Sequence, residues 1–231
     1  MRAILAAMML NVTGAAAQDT LSSDRPGFST GPSTVTEGRA QVEAGFQWDA
    51  GPDETSLPLT LLRYGIGPDT EVRASWNGVT LGGTAARGGS VEVKHTLGEG
   101  ERGATGLLLG VSVPGGGGPL DPSASFLWSA SLTDGLGLFG TATAGLAAGE
   151  GGRDATASNS VGLGWSLDDA WGLFAEHLVS VTEGEGDETQ VIDGGVTYLV
   201  TPNLQLDLNA GVSVGAADAG EFVGGGLSYR F

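Results

Sequence analysis

Apolar and polar residues alternate one by one along much of this chain. After Pro202, Leu204, Leu206, Leu208, Ala210, Val212 and Val214 share one parity, and Gln205, Asp207, Asn209, Gly211 and Ser213 share the other. A period of two places the two sets on opposite faces of a β-strand. Ile192, Val196, Tyr198 and Val200 oppose Asp193, Gly195 and Thr197 in the same way. Val72, Ala74 and Trp76 oppose Glu71, Arg73, Ser75 and Asn77, and Val42, Ala44, Phe46 and Trp48 oppose Gln41, Glu43, Gly45 and Gln47. The last nine residues repeat the pattern, with Val223, Gly225, Leu227, Tyr229 and Phe231 against Gly224, Gly226, Ser228 and Arg230. An apolar face that finishes on aromatics suits the closing strand of an outer-membrane barrel, where lipid lies outside and a polar lumen inside. An amphipathic edge strand of a soluble sandwich is the alternative. Residues 57–62, apolar but for Thr60, and 107–109 are apolar runs whose faces alternation does not assign.

Tight turns punctuate these strands at Gly67-Pro68-Asp69-Thr70, Gly98-Glu99-Gly100-Glu101, Thr133-Asp134-Gly135, Leu167-Asp168-Asp169-Ala170 and Thr201-Pro202-Asn203. From Asp69 through Gly100, Asp134, Asp169 and Pro202 to Phe231 the steps are 31, 34, 35, 33 and 29 residues. Each step holds two strands of about ten residues, the length a tilted strand needs to cross a bilayer, plus one longer connection. The longer connections fall at 49–54, 78–89, 115–121, 149–155, 183–188 and 215–220. Twelve strands are therefore expected, near 39–48, 56–65, 71–77, 90–97, 104–113, 123–132, 136–147, 156–166, 171–182, 189–200, 204–214 and 221–231. An even number puts both ends on one side, and the short turns belong to the periplasmic side. Tyr64, Trp165, Trp171, Tyr198, Tyr229 and Phe231 gather near that rim, with Trp48 and Trp76 near the other. This is a two-girdle distribution; the alternative is a set of core aromatics in a sandwich.

Composition fits a barrel. Forty-two glycines, no cysteine and 40% hydrophobic residues suit strands that turn half their positions toward a crowded lumen. Without cysteine there is neither a disulfide framework nor a thiolate metal site. Arg2, the apolar run 3–10 and Ala15-Ala16-Ala17 read as a signal peptide over residues 1–17. The net charge is −17, one unit more negative once Arg2 is removed, and no basic stripe supports nucleic-acid binding.

Catalytic patterns fail. Gly135-Leu136-Gly137-Leu138-Phe139-Gly140 matches GxGxxG but opens a strand with no helix behind it. His95 and His177 sit on separate strands, on apolar faces, which favours an interfacial or spacer role over metal or acid–base work. No Gly-x-Ser-x-Gly elbow is present. The expectation is no enzyme, no cofactor and no metal site.

Charges on the polar faces are the stronger candidates: Glu43, Arg63, Glu71, Arg73, Glu92, Lys94, Glu176, Asp193, Asp207 and Arg230. Charges are costly against lipid, so in a barrel they point inward, where they bridge one another or form a ring that contacts solute. Asp24-Arg25-Pro26-Gly27-Phe28 precedes the first strand. It is either a periplasmic tail or a small plug whose Arg25 meets Glu43 or Asp207. Acidic outer connections carrying Asp53, Glu54, Glu150, Asp154, Glu183, Glu185, Asp187, Glu188 and Asp218 are either solvated surface or cation sites that bridge to lipopolysaccharide.

Several segments resemble the meta-pathway phenol-degradation family of outer-membrane transporters. They are Ser23-Asp24-Arg25-Pro26, Ser33-Thr34-Val35, Gly38, Gln41-Val42-Glu43-Ala44-Gly45, Tyr64-Gly65, Asp193-Gly194-Gly195, Tyr198, 201–207 and Gly226-Leu227-Ser228-Tyr229-Arg230-Phe231. The resemblance implies a barrel that passes small, aromatic or hydrophobic solutes, and no catalytic residue travels with it. The whole is an all-β reading: one up-and-down antiparallel transmembrane β-barrel over residues 38–231, behind an N-terminal periplasmic or plug segment over 18–37. Its expected function is passive passage of small molecules across the outer membrane of a Gram-negative bacterium. The alternative is a structural or interaction barrel with a plugged lumen. Its partners would be outer-membrane lipid and lipopolysaccharide, the solute, and the barrel-assembly machinery that reads Leu227, Tyr229 and Phe231. Deleting Phe231 or appending a charged tail is accordingly expected to lower the yield of heat-modifiable folded barrel while secretion is unchanged. Wild-type yield of the deleted form overturns this.

Overall fold

Thirteen strands form among the described residues, and twelve of them make the wall of a closed antiparallel barrel. They are β1 (Ala40–Asp49), β2 (Glu54–Gly67), β3 (Thr70–Trp76), β4 (Val79–Leu81), β5 (Gly89–Gly100), β6 (Gly103–Val113), β7 (Asp121–Ser131), β8 (Leu136–Gly149), β9 (Gly152–Ser166), β10 (Trp171–Thr182), β11 (Thr189–Thr201), β12 (Leu204–Ser213) and β13 (Glu221–Arg230). The computed structural model describes residues 20–81, 88–149, 151–184, 188–214 and 220–231. The expected signal peptide, and Glu150, Glu185, Asp187 and Asp218 of the outer connections, lie outside the described residues. Sequence neighbours pair around the wall, and β1 closes it by pairing with both β13 and β2. The twelve wall strands are thereby paired on both sides, as a bilayer-spanning sheet requires, and among the described residues only the short β4 pairs on one side. Among the described residues no helix is long and apolar enough to cross a membrane.

The short β4 is the departure from twelve strands. On β2, Leu57-Pro58 bulges opposite β1, where the register shifts between Gly45 and Gln47. Pro58 has no N–H to donate, so the ladder breaks there. On the other side of β2, β3 stops at Trp76 and β4 resumes the same line against Thr55–Leu57. Gly78 makes the step at φ 71°, and a Cβ there would lie 2.7 Å from the Leu57 carbonyl, so the joint requires glycine. The wall remains twelve strands wide.

One outer connection also differs from the spacing. A loop is expected over 149–155, but β8 and β9 stay paired up to Gly149 and Gly152, making the tallest hairpin of the barrel. Small residues continue the alternation on both strands, so nothing stops the ladder earlier.

The fold is apolar outside and polar inside. Leu62, Leu109, Trp165, Ile192 and Leu208 are among the exposed large hydrophobics, whereas Glu43, Arg63, Glu71, Lys94 and Glu176 are buried. A soluble protein shows the reverse; an apolar belt of this extent suits lipid. The two ambiguous runs resolve by the pleat. Leu107 and Leu109 point outward with Leu108 inward, and Leu62 points outward beside the inward Arg63. Trp171 and Tyr198 stack at 4.5 Å on the outer surface, at the ends of β10 and β11 nearest the short turns.

The facing of β12 gives a direct check. Leu208→Arg places a guanidinium in the apolar belt at about 2–4 kcal/mol, whereas Asn209→Arg enters the lumen at much smaller cost. Chemical unfolding in lipid vesicles reads the two, and equal losses overturn the assignment of faces.

Candidate functional site in the lumen

Residues 20–38 do not trail from the barrel; they enter it. The Leu21 N–H donates to the Pro202 carbonyl at 2.8 Å, at the short-turn rim between β11 and β12. The chain then crosses the lumen and returns at Glu37, which bridges Gly65 before β1 begins. Gly65 leaves room for this return, since a Cβ there would collide with the carbonyls of Val35 and Thr36. Leu21 and Val35 are buried at the two ends of the inserted segment.

Asp24 organises the insertion. Its Oδ2 lies 2.8 Å from Lys94 Nζ, 3.1 Å from Arg73 Nη1 and 3.3 Å from Arg63 Nη1. Its Oδ1 accepts the Gly31 N–H at 3.1 Å, closing the segment's own loop. The three cations stand side by side because β2, β3 and β5 are adjacent and Arg63, Arg73 and Lys94 all fall on the inward parity. Arg63 also binds Glu71 through Nε and Nη2 at 2.9 and 3.0 Å and Glu43 through Nη1 at 2.9 Å. Arg73 makes an ion contact with Glu92 at 3.1 Å. These wall cations hold the inserted backbone as well. Arg63 donates to the Ser22 and Ser33 carbonyls, and Lys94 to those of Gly31 and Ser33.

The neighbouring Arg25 reaches the other way. Its Nη2 meets Asp207 on β12 at 3.0 Å, and its guanidinium lies over Gly45 and Gly226. A Cβ at Gly226 would sit 2.7 Å from Arg25 Nε, so the contact depends on glycine at the wall. Farther in, Glu176 accepts the N–H groups of Phe28 and Ser29 and, at 2.6 Å, the Ser29 hydroxyl. The Thr30 N–H donates to Thr141, whose hydroxyl donates back to the Thr30 carbonyl. Phe28 meets Phe222 edge to face at 5.9 Å between ring centroids.

The residues singled out from sequence thus divide. Glu43, Arg63, Glu71, Arg73, Glu92 and Lys94 form one cluster, joined by Asp24. Arg25 pairs with Asp207, the second of its two expected partners. Glu176 faces Asp193 across the β10–β11 ladder, apart from the basic cluster, and Asp193 Oδ1 has no hydrogen-bond partner among the described residues. Arg230 lies at the rim, where it binds the Asn203 side chain. Leu227, Tyr229 and Phe231 point outward, with Tyr229 and Phe231 edge to face at 4.9 Å. His95 and His177 lie on the outer surface, bonded to Thr70 and Gln190.

Sequence reasoning missed Asp24 itself, together with Gln41, Thr96, Thr141, Ser160 and Gln205, which hold the segment. The inward parity of the wall residues was readable, and the plug was one of two readings of the segment before β1. Which wall residues its backbone would meet was not readable, because the segment has no periodicity.

Burial alone would raise the Asp24 carboxyl, but Arg63, with Lys94 and Arg73, outweighs burial and holds it well below the usual carboxylate range. Beneath the inserted loop, on the short-turn side, lies an open recess of about 680 Å³ including the solvent at its mouth. Ser129, Phe139, Phe174, Thr197 and Gln205 form its barrel wall.

A family model described as "Putative MetA-pathway of phenol degradation" matches residues 23–231. Among solved structures, the NanC porin superposes with TM-score 0.62 at 11% identity, over 82% of this chain and 98% of its own. The KdgM porin gives 0.61 at 10% identity, over 83% and 99%. At these identities the likeness is one of fold. No curated protein matches the chain.

Asp24→Asn is expected to weaken seating of the segment strongly, because it leaves three buried cations short of one anion; losing one partner of a buried ion pair costs about 3–5 kcal/mol. Amide hydrogen exchange over residues 20–36 of the folded barrel should quicken by roughly 100-fold or more, the factor that about 3 kcal/mol represents. In wild type the depressed carboxyl contributes fully above its free value, about 3.8, and the contribution fades as pH falls through the lower seated value. Exchange protection attributable to Asp24 should therefore be flat from about pH 5 to 8 and fail only under stronger acid. Unchanged exchange in Asp24→Asn overturns the role given to this carboxylate.

Proposed function

The chain belongs to the MetA-pathway phenol-degradation family, and from that membership and the geometry of the lumen we propose an outer-membrane channel for small solutes, gated by its own N-terminal segment. One observation carries the reading: the short-turn half of the lumen is crossed by a separate stretch of chain, held to the wall's inward side chains through ions and hydrogen bonds. A purely structural barrel of this width has simpler means. Its wall residues can bridge one another directly, and the small residues at Gly45, Gly65 and Gly226 that make room for the inserted segment serve no purpose in it. The seat is polar, so a segment that leaves it exposes groups that water can satisfy. That suits a reversible plug better than apolar packing would.

The outer half of the lumen is lined with small hydroxyl residues, including Ser75 and Ser90, 2.8 Å apart, and Ser125 and Thr143, also 2.8 Å apart. A solute coming from outside meets this polar lining first and the plug last. Transport, not catalysis, is the chemistry of this reading: the carboxylates at the plug are engaged by cations and backbone N–H groups, and both histidines face outward. Phe139 and Phe174 give the passage an apolar element, which fits the aromatic or hydrophobic solutes suggested by the family resemblance.

The density of buried ionic contacts around Asp24 favours a second reading, a barrel whose plug never leaves. Single-channel recording in planar bilayers separates the two. Removing residues 18–36, or making Arg63→Gln with Arg73→Gln, should raise conductance several-fold over wild type, and the arginine variant should shift toward cation selectivity because Glu43, Glu71 and Glu92 remain. Absence of conductance in wild type, truncated and substituted chains alike establishes the second reading.

A further inference from the structure

The recess beneath the plug has two kinds of wall. On one side are the inserted residues Pro26 and Pro32, with their neighbours; on the other are Ser129, Phe139, Phe174, Thr197 and Gln205 of β7, β8, β10, β11 and β12. The five barrel residues lie near the strand ends of the short-turn rim. Glu176, Ser160 and Thr141, which hold the tip of the plug, lie deeper. The recess is thus on the short-turn side of the plug. Glycines on neighbouring strands give its rings their places: a Cβ at Gly162 would collide with Phe139, and one at Gly195 would lie 2.6 Å from Phe174. Both rings therefore lie close against the wall and leave the centre empty.

One polar atom in this recess has nothing to bind. Thr197 is 2% exposed and its Oγ1 has no hydrogen-bond partner among the described residues. A buried hydroxyl left unsatisfied is costly, and the cost is recovered when a ligand supplies the partner. The nearby charges are already matched, Asp24 by its cations and Arg25 by Asp207. A charged ligand would have no counterpart here, whereas a small neutral one with an apolar body would rest against the two rings.

We propose that this recess binds a small neutral molecule carrying one hydrogen-bonding group, and that the bound molecule holds the plug in its seat. The site exists only while the plug supplies its second wall, so the ligand binds the plugged conformation and by linkage stabilises it. Since the recess opens on the short-turn side, solute accumulating there closes the pathway behind itself. This consequence rests on the channel reading; the site does not.

Benzyl alcohol is a suitable probe, with toluene lacking the hydroxyl and benzoate adding a charge. Amide exchange of residues 20–36 in the folded full-length barrel should slow as benzyl alcohol is added, by about tenfold when the probe exceeds its dissociation constant tenfold. Benzoate should leave it unchanged. Thr197→Val removes an unsatisfied hydroxyl without opening a cavity, so the barrel should fold as well as wild type. That variant should need about tenfold more benzyl alcohol for the same protection, the effect of one lost hydrogen bond, yet respond to toluene as wild type does. No slowing by benzyl alcohol, or equal slowing in wild type and Thr197→Val, overturns the proposal. In bilayers, benzyl alcohol on the short-turn side should lengthen closed intervals. A barrel that conducts and ignores the alcohol overturns the proposal and leaves the channel standing. Protection of the segment by the alcohol in a protein that never conducts supports the site and overturns the channel.

Discussion

A single carboxylate shared by three cations fixes the position of the inserted segment. Arg63, Arg73 and Lys94 converge on one oxygen of Asp24 because three adjacent strands place them on the same face, Arg63 opposite Arg73 and Lys94 one inward position away, opposite Glu71. In the low dielectric between the wall and the plug, charges so placed are tolerable only when matched. Glu43, Glu71 and Glu92 match the wall cations in part, and Asp24 adds the contact that ties the wall to the plug. Arg25, the next residue, is drawn the other way around the wall, to Asp207 on β12, three strands from β2. Two adjacent residues of opposite charge thus anchor the segment to either side of β1 and β13, and from that anchor the chain crosses to β8, β9 and β10. The remaining bonds, from Glu176 to the backbone of Phe28 and Ser29 and from Thr141 to Thr30, orient a loop whose place the ions have already set.

The wall accommodates this crossing through what it lacks. Where Arg25 lies against β1 and β13 the facing residues are Gly45 and Gly226, and where the chain leaves the lumen the facing residue is Gly65. Any side chain at these positions would occupy the path of the plug. The same economy shapes the recess, where Gly162 and Gly195 let Phe139 and Phe174 lie against the wall. Lumen glycines that weaken a strand by conformational entropy are thus retained where backbone or guanidinium must approach closely.

Much of the wall was legible in the sequence. The alternation in β3, β11, β12 and β13 assigns each residue to lipid or lumen, and the structure keeps those faces, because a slip of one residue would invert every side chain of a strand. Alternation fails where two or more apolar residues run together. Leu107, Leu108 and Leu109 are equally apolar, and only the register with β5 and β7 turns Leu108 inward. The bulge at Leu57-Pro58 and the step at Gly78 that creates β4 arise from a proline and a glycine on neighbouring strands that meet only once the strands have paired. The candidate site was legible on one side. Inward charges of β1, β2, β3, β5 and β12 follow from parity; Asp24 does not, because residues 20–38 carry no period and their position depends on partners spread over most of the wall.

The lumen is consequently asymmetric along its axis. The basic cluster and the plug gather toward the short-turn end, while the outer half offers Ser75, Ser90, Ser125 and Thr143 beside acidic residues such as Asp49 and Asp193. The outer rim carries Asp53, Glu54, Asp154, Glu183 and Glu188, so the first field a solute meets is negative. That field discourages anions at the mouth, but it acts through solvent and is screened within about 10 Å at moderate salt. On the proposed channel reading, discrimination among neutral solutes falls to the plug. There an unpartnered hydroxyl and two aromatic rings can distinguish molecules by shape and by a single hydrogen bond, which the charged rim cannot do.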